Sequence, residues 1–173
     1  MSLDRLWNGW RSSYVRGESD PTTESSSGSV FTRILESGLD DAETHIVHRG
    51  RQVFAILNAF PYASGHLMVL PYREVADLEE LGADEAAELW ETVTDAVRAV
   101  KRSHKPHALN VGINLGASAG GSISQHLHVH VVPRWEGDAN FMTSVANTRT
   151  LPEPLSETAA RIRAAWPTRG DRR

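Results

Sequence analysis

The sequence predicts an α+β domain in which a mainly antiparallel sheet packs against one principal helix. Three observations predict it. Short β-rich runs separated by turn residues occupy 44–71 and 109–133. One long stretch, from Asp84 to about Arg102, carries apolar residues at three- and four-residue spacing. The 173 residues, 40% hydrophobic and 23% charged, suit one compact soluble domain.

The elements read in order. Residues 19–29, SDPTTESSSGS, are too polar to pack and form a linker. With the segment before it, which holds Trp7, Trp10 and Tyr14, the linker makes an N-terminal arm over 1–29. Val30–Leu35 is a first short element and opens the main domain, 30–150. Thr44–His48 and Gln52–Leu57 are β-rich and broken at Arg49-Gly50-Arg51, which predicts a hairpin. Asn58 to Gly65 carries Asn, Pro and Gly and reads as a loop. His66–Leu70 reads as a buried strand stopped by Pro71. Val75–Leu81 reads as a short helix. Asp84 can cap the long one, whose apolar face is Leu89, Val93, Ala96, Val97 and Val100, and Pro106 ends it. Leu109–Leu115 and Ser124–Pro133 read as strands around the loop Gly116–Gly121. The last segment, 151–173, reads as a helix over 156–166 and a frayed tail from Thr168.

Composition excludes several classes. Cysteine is absent, so disulfides, thiolate catalysis and cysteine-ligated zinc are out. No apolar run approaches a membrane span, and the N-terminus lacks an apolar signal core, so a cytoplasmic protein is expected. A formal charge of −4 argues against a broad nucleic-acid surface. It leaves room for a small anionic ligand held by local donors.

The most informative segment is Gln125-His-Leu-His-Val-His-Val-Val-Pro133. Alternation on a strand sends His126, His128 and His130 one way and Leu127, Val129 and Val131 the other, into the core. Imidazole titrates near neutrality and can act as base, acid or nucleophile. Three in a row permit a division of labour at phosphorus. A metal site and incidental surface histidines are the competing readings, since imidazole is a common ligand. The loop just upstream, Asn114-Leu-Gly-Ala-Ser-Ala-Gly-Gly-Ser122, favours phosphoryl chemistry. Its glycines let backbone N–H groups approach an anion, and its Asn and Ser residues add donors.

At these residues the sequence resembles the histidine-triad (HIT) superfamily of nucleotide hydrolases and transferases. The likeness rests on His126-Leu-His-Val-His130-Val-Val132 and runs from about Phe31 to Asn140. The segment from Asn58 to Pro71 is similar to the family's ribose-binding loop and following strand. The resemblance implies an antiparallel sheet of about five strands with one long and one or two short helices. It implies that His128 attacks the α-phosphorus, that His126 supports it and that His130 lies near the leaving oxygen. It places Asn58 on the ribose hydroxyls and Asn114 and Gly121 on phosphate oxygens. The alternative for Asn58 is a turn residue before Pro61.

Two departures matter. Many relatives carry Cys-x-x-Cys and a structural zinc where this chain has Ser29-Val-Phe-Thr32, so no metal is expected there. Many hydrolases of the family place Gln where this chain has Ser122. The shorter side chain leaves space for inorganic phosphate as acceptor. The stretch from Gly120-Gly-Ser122 through Pro133-Arg-Trp135 to Asn140 resembles the family's actinobacterial diadenosine tetraphosphate phosphorylase branch. The expected reaction therefore gives ATP and ADP from diadenosine tetraphosphate and phosphate. A HIT-type hydrolase of dinucleoside polyphosphates or phosphoramidates, or a non-catalytic nucleotide-binding module, is the alternative. Arg134 is a candidate for distal phosphates and Trp135 for stacking on a base. No cofactor is expected, although a divalent cation can accompany the substrate phosphates. A homodimer or homotetramer is expected, paired through the long helix and a sheet edge. The remaining histidines, 45, 48, 66, 104 and 107, read as structural or surface residues.

Overall fold

The computed structural model describes residues 28–119, 123–138 and 153–172. Two short helices open the fold, α1 (Val30–Glu36) and α2 (Asp41–Thr44). Strands β1 (Ile46–Arg49), β2 (Val53–Leu57) and β3 (Leu67–Pro71) form a meander. Helix α3 (Ala83–His104) crosses to β4 (Ala108–Ile113) and β5 (Val129–Arg134), and α4 (Leu155–Ala165) follows. The sheet order is β1-β2-β3-β5-β4, with every neighbouring pair antiparallel. No helix among the described residues is long and apolar enough to cross a membrane.

Alternation splits the sheet into two packed faces. Val53, Ala55, Leu57, Leu67, Val69, Val129 and Val131 meet α3 and α4 through Leu89, Val93, Ala96, Val100, Ala159 and Ile162. Phe54, Ile56, Met68 and Leu70 face the other way and meet Phe31 of α1. The central strands β2 and β3 are therefore buried on both sides, which explains their continuous apolar runs.

The expected elements are present, with differences of physical origin. The first short element is a helix because Ser29 caps it, accepting from the Thr32 N–H. Ser29 itself is fully buried and packs with the fold, although the sequence assigns it to the polar linker. Among the described residues, three shorter helices accompany the long one, where one or two were expected. Asp40 and Glu43 form a capping box that closes α2 ahead of β1. Val75–Leu81 makes only a 3-10 turn, Leu78–Glu80, where Glu80 reaches back to the N–H groups of Ala76 and Asp77. Gly82, not Asp84, is the N-cap of α3, and Glu85 reaches back toward its N–H at 3.4 Å. The tail is docked, not frayed: Asp171 pairs with Arg102 of α3 at 3.2 Å and accepts from the Thr168 N–H. Trp90 is 48% exposed on α3, so it is not core. Trp7, Trp10, Tyr14 and Asn140 lie outside the described residues.

The loop between β2 and β3 turns at Gly65, which has φ +85°. A Cβ there would stand 3.3 Å from the His104 ring. Gly65→Ala combines left-handed strain with a tight contact and should cost about 1–2 kcal/mol. Urea denaturation followed by circular dichroism measures it, and an unchanged midpoint would show that the turn relaxes.

Candidate active site

The histidine segment alternates as expected, but its ladder starts late. Pairing of β5 with β3 begins at Val129 opposite Val69, and with β4 at Val129 opposite Ile113. The expected strand Ser124–Pro133 is thus shorter at its start and runs one residue further, to Arg134. Residues before Val129 take other partners. The Leu127 N–H donates to the Val75 carbonyl at 2.7 Å, and Leu127 still points into the helix-side core.

The imidazoles are less exposed than a surface array would be. His126 is 0% and His128 6% exposed, with His130 half-buried. Phe31 packs edge-on to His126, with ring centroids 5.4 Å apart, and lies 5.6 Å from His128. His128 and His130 meet at 4.8 Å in a T-shaped contact.

Hydrogen-bond partners assign each ring's proton. A carbonyl only accepts, so His126 Nε2–H donates to the Pro71 carbonyl at 2.9 Å. Its Nδ1 then takes the proton of Ser29 Oγ at 2.6 Å. His128 Nδ1–H donates to the His126 carbonyl at 2.7 Å, which leaves the Nε2 lone pair unprotonated. The Tyr62 N–H donates to His66 Nδ1 at 3.1 Å, so His66 Nε2–H donates to His130 Nδ1 at 3.0 Å. His130 therefore carries its proton on Nε2. One ring offers a nucleophilic nitrogen while its neighbour offers an N–H donor. Burial pushes the pKa of all three below the ordinary imidazole value, that of His130 to about 4. The three rings are thus neutral at physiological pH, although the Glu74 carboxylate partly offsets burial at His126.

Other candidates fall around this row. Asn58 follows β2, and its Oδ1 accepts from the Phe60 N–H at 2.8 Å, so it is a turn residue. Its amide nitrogen nonetheless lies 3.5 Å from His66 Nε2, which puts it beside the row as well. The β4–β5 register, continued one step past Ile113 and Val129, sets Asn114 alongside His128 on the same face. Gly121 and Ser122 lie outside the described residues. Arg134 is four residues beyond His130, about 13 Å along the strand. Its guanidinium is committed to Asp138, at 2.6 and 2.8 Å, and to Asn110. Trp135 sits half-buried in the following turn and donates its backbone N–H to Asp138.

His66 is the residue sequence reasoning missed. It is fully buried and orients His130. Its only signal in the sequence is position: it opens an apolar strand directly after the loop that carries Asn58. The other four histidines outside the row serve elsewhere in the fold. His48, for example, stacks on Trp166 at 4.6 Å, and His107 accepts from the Glu136 N–H.

Residues 40–137 match the HIT domain, a span that holds the whole histidine row, Asn58 and Asn114. The chain belongs to the HIT family. Among similar HIT proteins, an AP-4-A phosphorylase of Mycobacterium tuberculosis is 46% identical over 167 residues, covering 95% of this chain and 85% of the relative. A histidine triad nucleotide-binding protein of Sulfolobus tokodaii has a solved structure with a TM-score of 0.65 and 30% identity, covering 79% of this chain and 91% of that one. A Zn-bound histidine triad family protein of Mycobacterium smegmatis gives 0.64 and 27%, with the same coverage of both chains. The five-stranded sheet and its long helix are thus the HIT fold.

The buried histidines tie stability to pH. The unfolded chain binds protons near pH 6.5 and the folded site near 4 at His130, so protonation favours unfolding in between. Their stabilising contribution is complete above pH 6.5 and is lost as pH falls towards 4. The melting temperature should decline through that window, and His130→Gln should flatten the decline. Equal slopes in the two proteins would remove His130 as the cause.

Proposed function

We propose that this HIT protein cleaves diadenosine tetraphosphate with inorganic phosphate as acceptor, giving ATP and ADP through a nucleotidyl-histidine intermediate. The observation that carries the chemistry is the His128 Nδ1–H bond to the His126 carbonyl, which leaves Nε2 as a nucleophile. The substrate and acceptor follow the 46% identical AP-4-A phosphorylase, whose likeness extends over nearly the whole chain.

In the first step His128 Nε2 forms a bond to the α-phosphorus and the bridging P–O bond breaks. The leaving oxygen departs as ATP, met by the His130 Nε2–H. The modified ring keeps its Nδ1–H on the His126 carbonyl, which stabilises its positive charge. In the second step a phosphate oxygen attacks phosphorus, the N–P bond breaks and ADP leaves. Asn58 holds the ribose hydroxyls through its amide, and Asn114, Gly121 and Ser122 receive phosphate oxygens. Arg134 and Trp135 serve the far end of the substrate, which requires Arg134 to exchange Asp138 for phosphate. No resident cofactor takes part, and a divalent ion can travel with the substrate phosphates. The reaction belongs in the cytoplasm.

The proposed assembly is a homodimer or a tetramer of dimers. β4 ends the sheet, with Val111 43% exposed on its helix-bearing face and Trp90 exposed on α3. Sedimentation analysis tests this, and a monomer at micromolar concentration would exclude it.

Incubation with diadenosine tetraphosphate and labelled phosphate should place label in ADP, with ATP as the other product. AMP and ATP in ample phosphate would make the protein a hydrolase. No turnover of any nucleotide despite tight binding would make it a binding module. His128→Ala should lose about 10⁴-fold or more in kcat while keeping nucleotide affinity. His66→Ala should lower kcat about 10²-fold by releasing the His130 tautomer, with KM little changed. A His66→Ala variant as fast as wild type would sever that relay.

A further inference from the structure

Behind the nucleophile lies a second polar cluster that the reaction scheme does not use. It joins Ser29 and Thr32, at the start of α1, to Glu74 and His126 from two distant stretches of the chain. The Ser29 N–H and the Thr32 Oγ1–H both donate to Glu74 Oε2, at 2.7 and 2.6 Å. The Thr32 N–H caps onto Ser29 Oγ at 3.2 Å, and that hydroxyl passes its proton to His126 Nδ1. His126 closes the chain on the Pro71 carbonyl. With His126 neutral, every proton in the chain has a destination, and the Ser29 and Thr32 hydroxyls also lie 3.2 Å apart. Gly28 lets the backbone close over the knot. At φ +125° a side chain there would be strained, and its Cβ would crowd Glu74 Oε2 at 3.3 Å and Thr32 Cγ2 at 3.1 Å.

Ser29 and Thr32 stand where many relatives carry a zinc-binding Cys-x-x-Cys. The donors here do not fit a structural zinc. Zinc takes thiolate, imidazole or carboxylate, and two of these four groups are neutral hydroxyls. The hydroxyl protons are already used in holding Glu74 and His126.

We propose that Glu74 is a positioning residue, the hub of a metal-free hydrogen-bond clamp that ties the start of α1 to the histidine segment. The clamp holds Phe31 against His126 and His128, and it keeps the His126 carbonyl in place for His128 Nδ1. Glu74 touches no substrate. The amide and hydroxyl donors hold its pKa below the usual carboxylate range, so the acceptor is ionised throughout the neutral region. The effect on turnover rests on the activity proposed above, whereas the effect on His126 does not.

The test uses the full chain with Glu74→Ala, Glu74→Gln and Thr32→Val. Long-range ¹H–¹⁵N NMR of the imidazoles should show His126 as the Nε2–H tautomer in the wild type and in Glu74→Gln. In the former the carboxylate and in the latter the amide oxygen accepts both donors. Glu74→Ala should mix the His126 tautomers and lower kcat about 10- to 100-fold with KM within about twofold, the size expected for a misplaced nucleophile. Thr32→Val removes one of the two donors and should fall between, which keeps the test open if the alanine variant does not fold. Prolonged chelation, and added Zn²⁺, should leave the wild-type melting temperature unchanged. Unchanged His126 signals and kcat in Glu74→Ala and Thr32→Val would overturn the proposal. So would a melting temperature that chelator lowers and zinc restores. A wild type that turns over no nucleotide would sink the proposed reaction alone, since NMR and melting still decide the clamp.

Discussion

One hydrogen bond organises this molecule: the donation from His128 Nδ1 to the carbonyl of His126. A neutral imidazole has one proton, and spending it on a buried carbonyl dictates where the lone pair is. Flipping the ring would leave that carbonyl unpaired in a site closed by Phe31, a cost of about 1–3 kcal/mol. The surrounding structure holds the two halves of the bond. The β5 ladder fixes the backbone from Val129 onward, and the contacts of His126 with Pro71 and Ser29 fix it from the other side. Which nitrogen of His128 keeps its lone pair is therefore settled by the fold itself.

The same bookkeeping of protons bears on how a protein of net charge −4 receives a polyphosphate. The described surroundings of the row are neutral donors, not cations. Imidazole N–H groups, the amide of Asn58 and the amide of Asn114 carry no charge, and the nearby guanidinium of Arg134 is neutralised by Asp138. A neutral, partly dry site does not hold the ground state by ion pairing. Its dipoles act most strongly where charge builds up on the leaving oxygen and the transferred phosphorus.

Much of this was legible in the sequence because the relevant patterns are local. The triad reveals itself by alternation, the hairpin at Gly50 by its flanking β-rich runs, and α3 by its apolar spacing. What escaped depends on contacts that no local pattern encodes. Ser29 sits at the end of a polar, glycine-containing run, yet it is buried because His126, 97 residues away, takes its proton. Glu74 stays exposed and looks like any surface acid until α1 brings the donors of Ser29 and Thr32 to it. His66 resembles the opening residue of an ordinary strand, and its role exists only because β3 and β5 are neighbours. Burial of the triad is hidden from the sequence for a related reason. Alternation says which way a side chain points and nothing about what a helix from elsewhere in the chain lays on top of it.

The strand order has a consequence for biosynthesis. β1, β2 and β3 can pair as they leave the ribosome, since each follows its partner in the chain. β4 is made before β5, yet within the sheet it touches only β5. It must therefore wait, unpaired, until a later segment slots between it and β3. Long-range insertions of this kind are slow because the connecting loops must be closed first. The histidine row arrives with that inserted segment, so the candidate site is among the last features the nascent chain assembles.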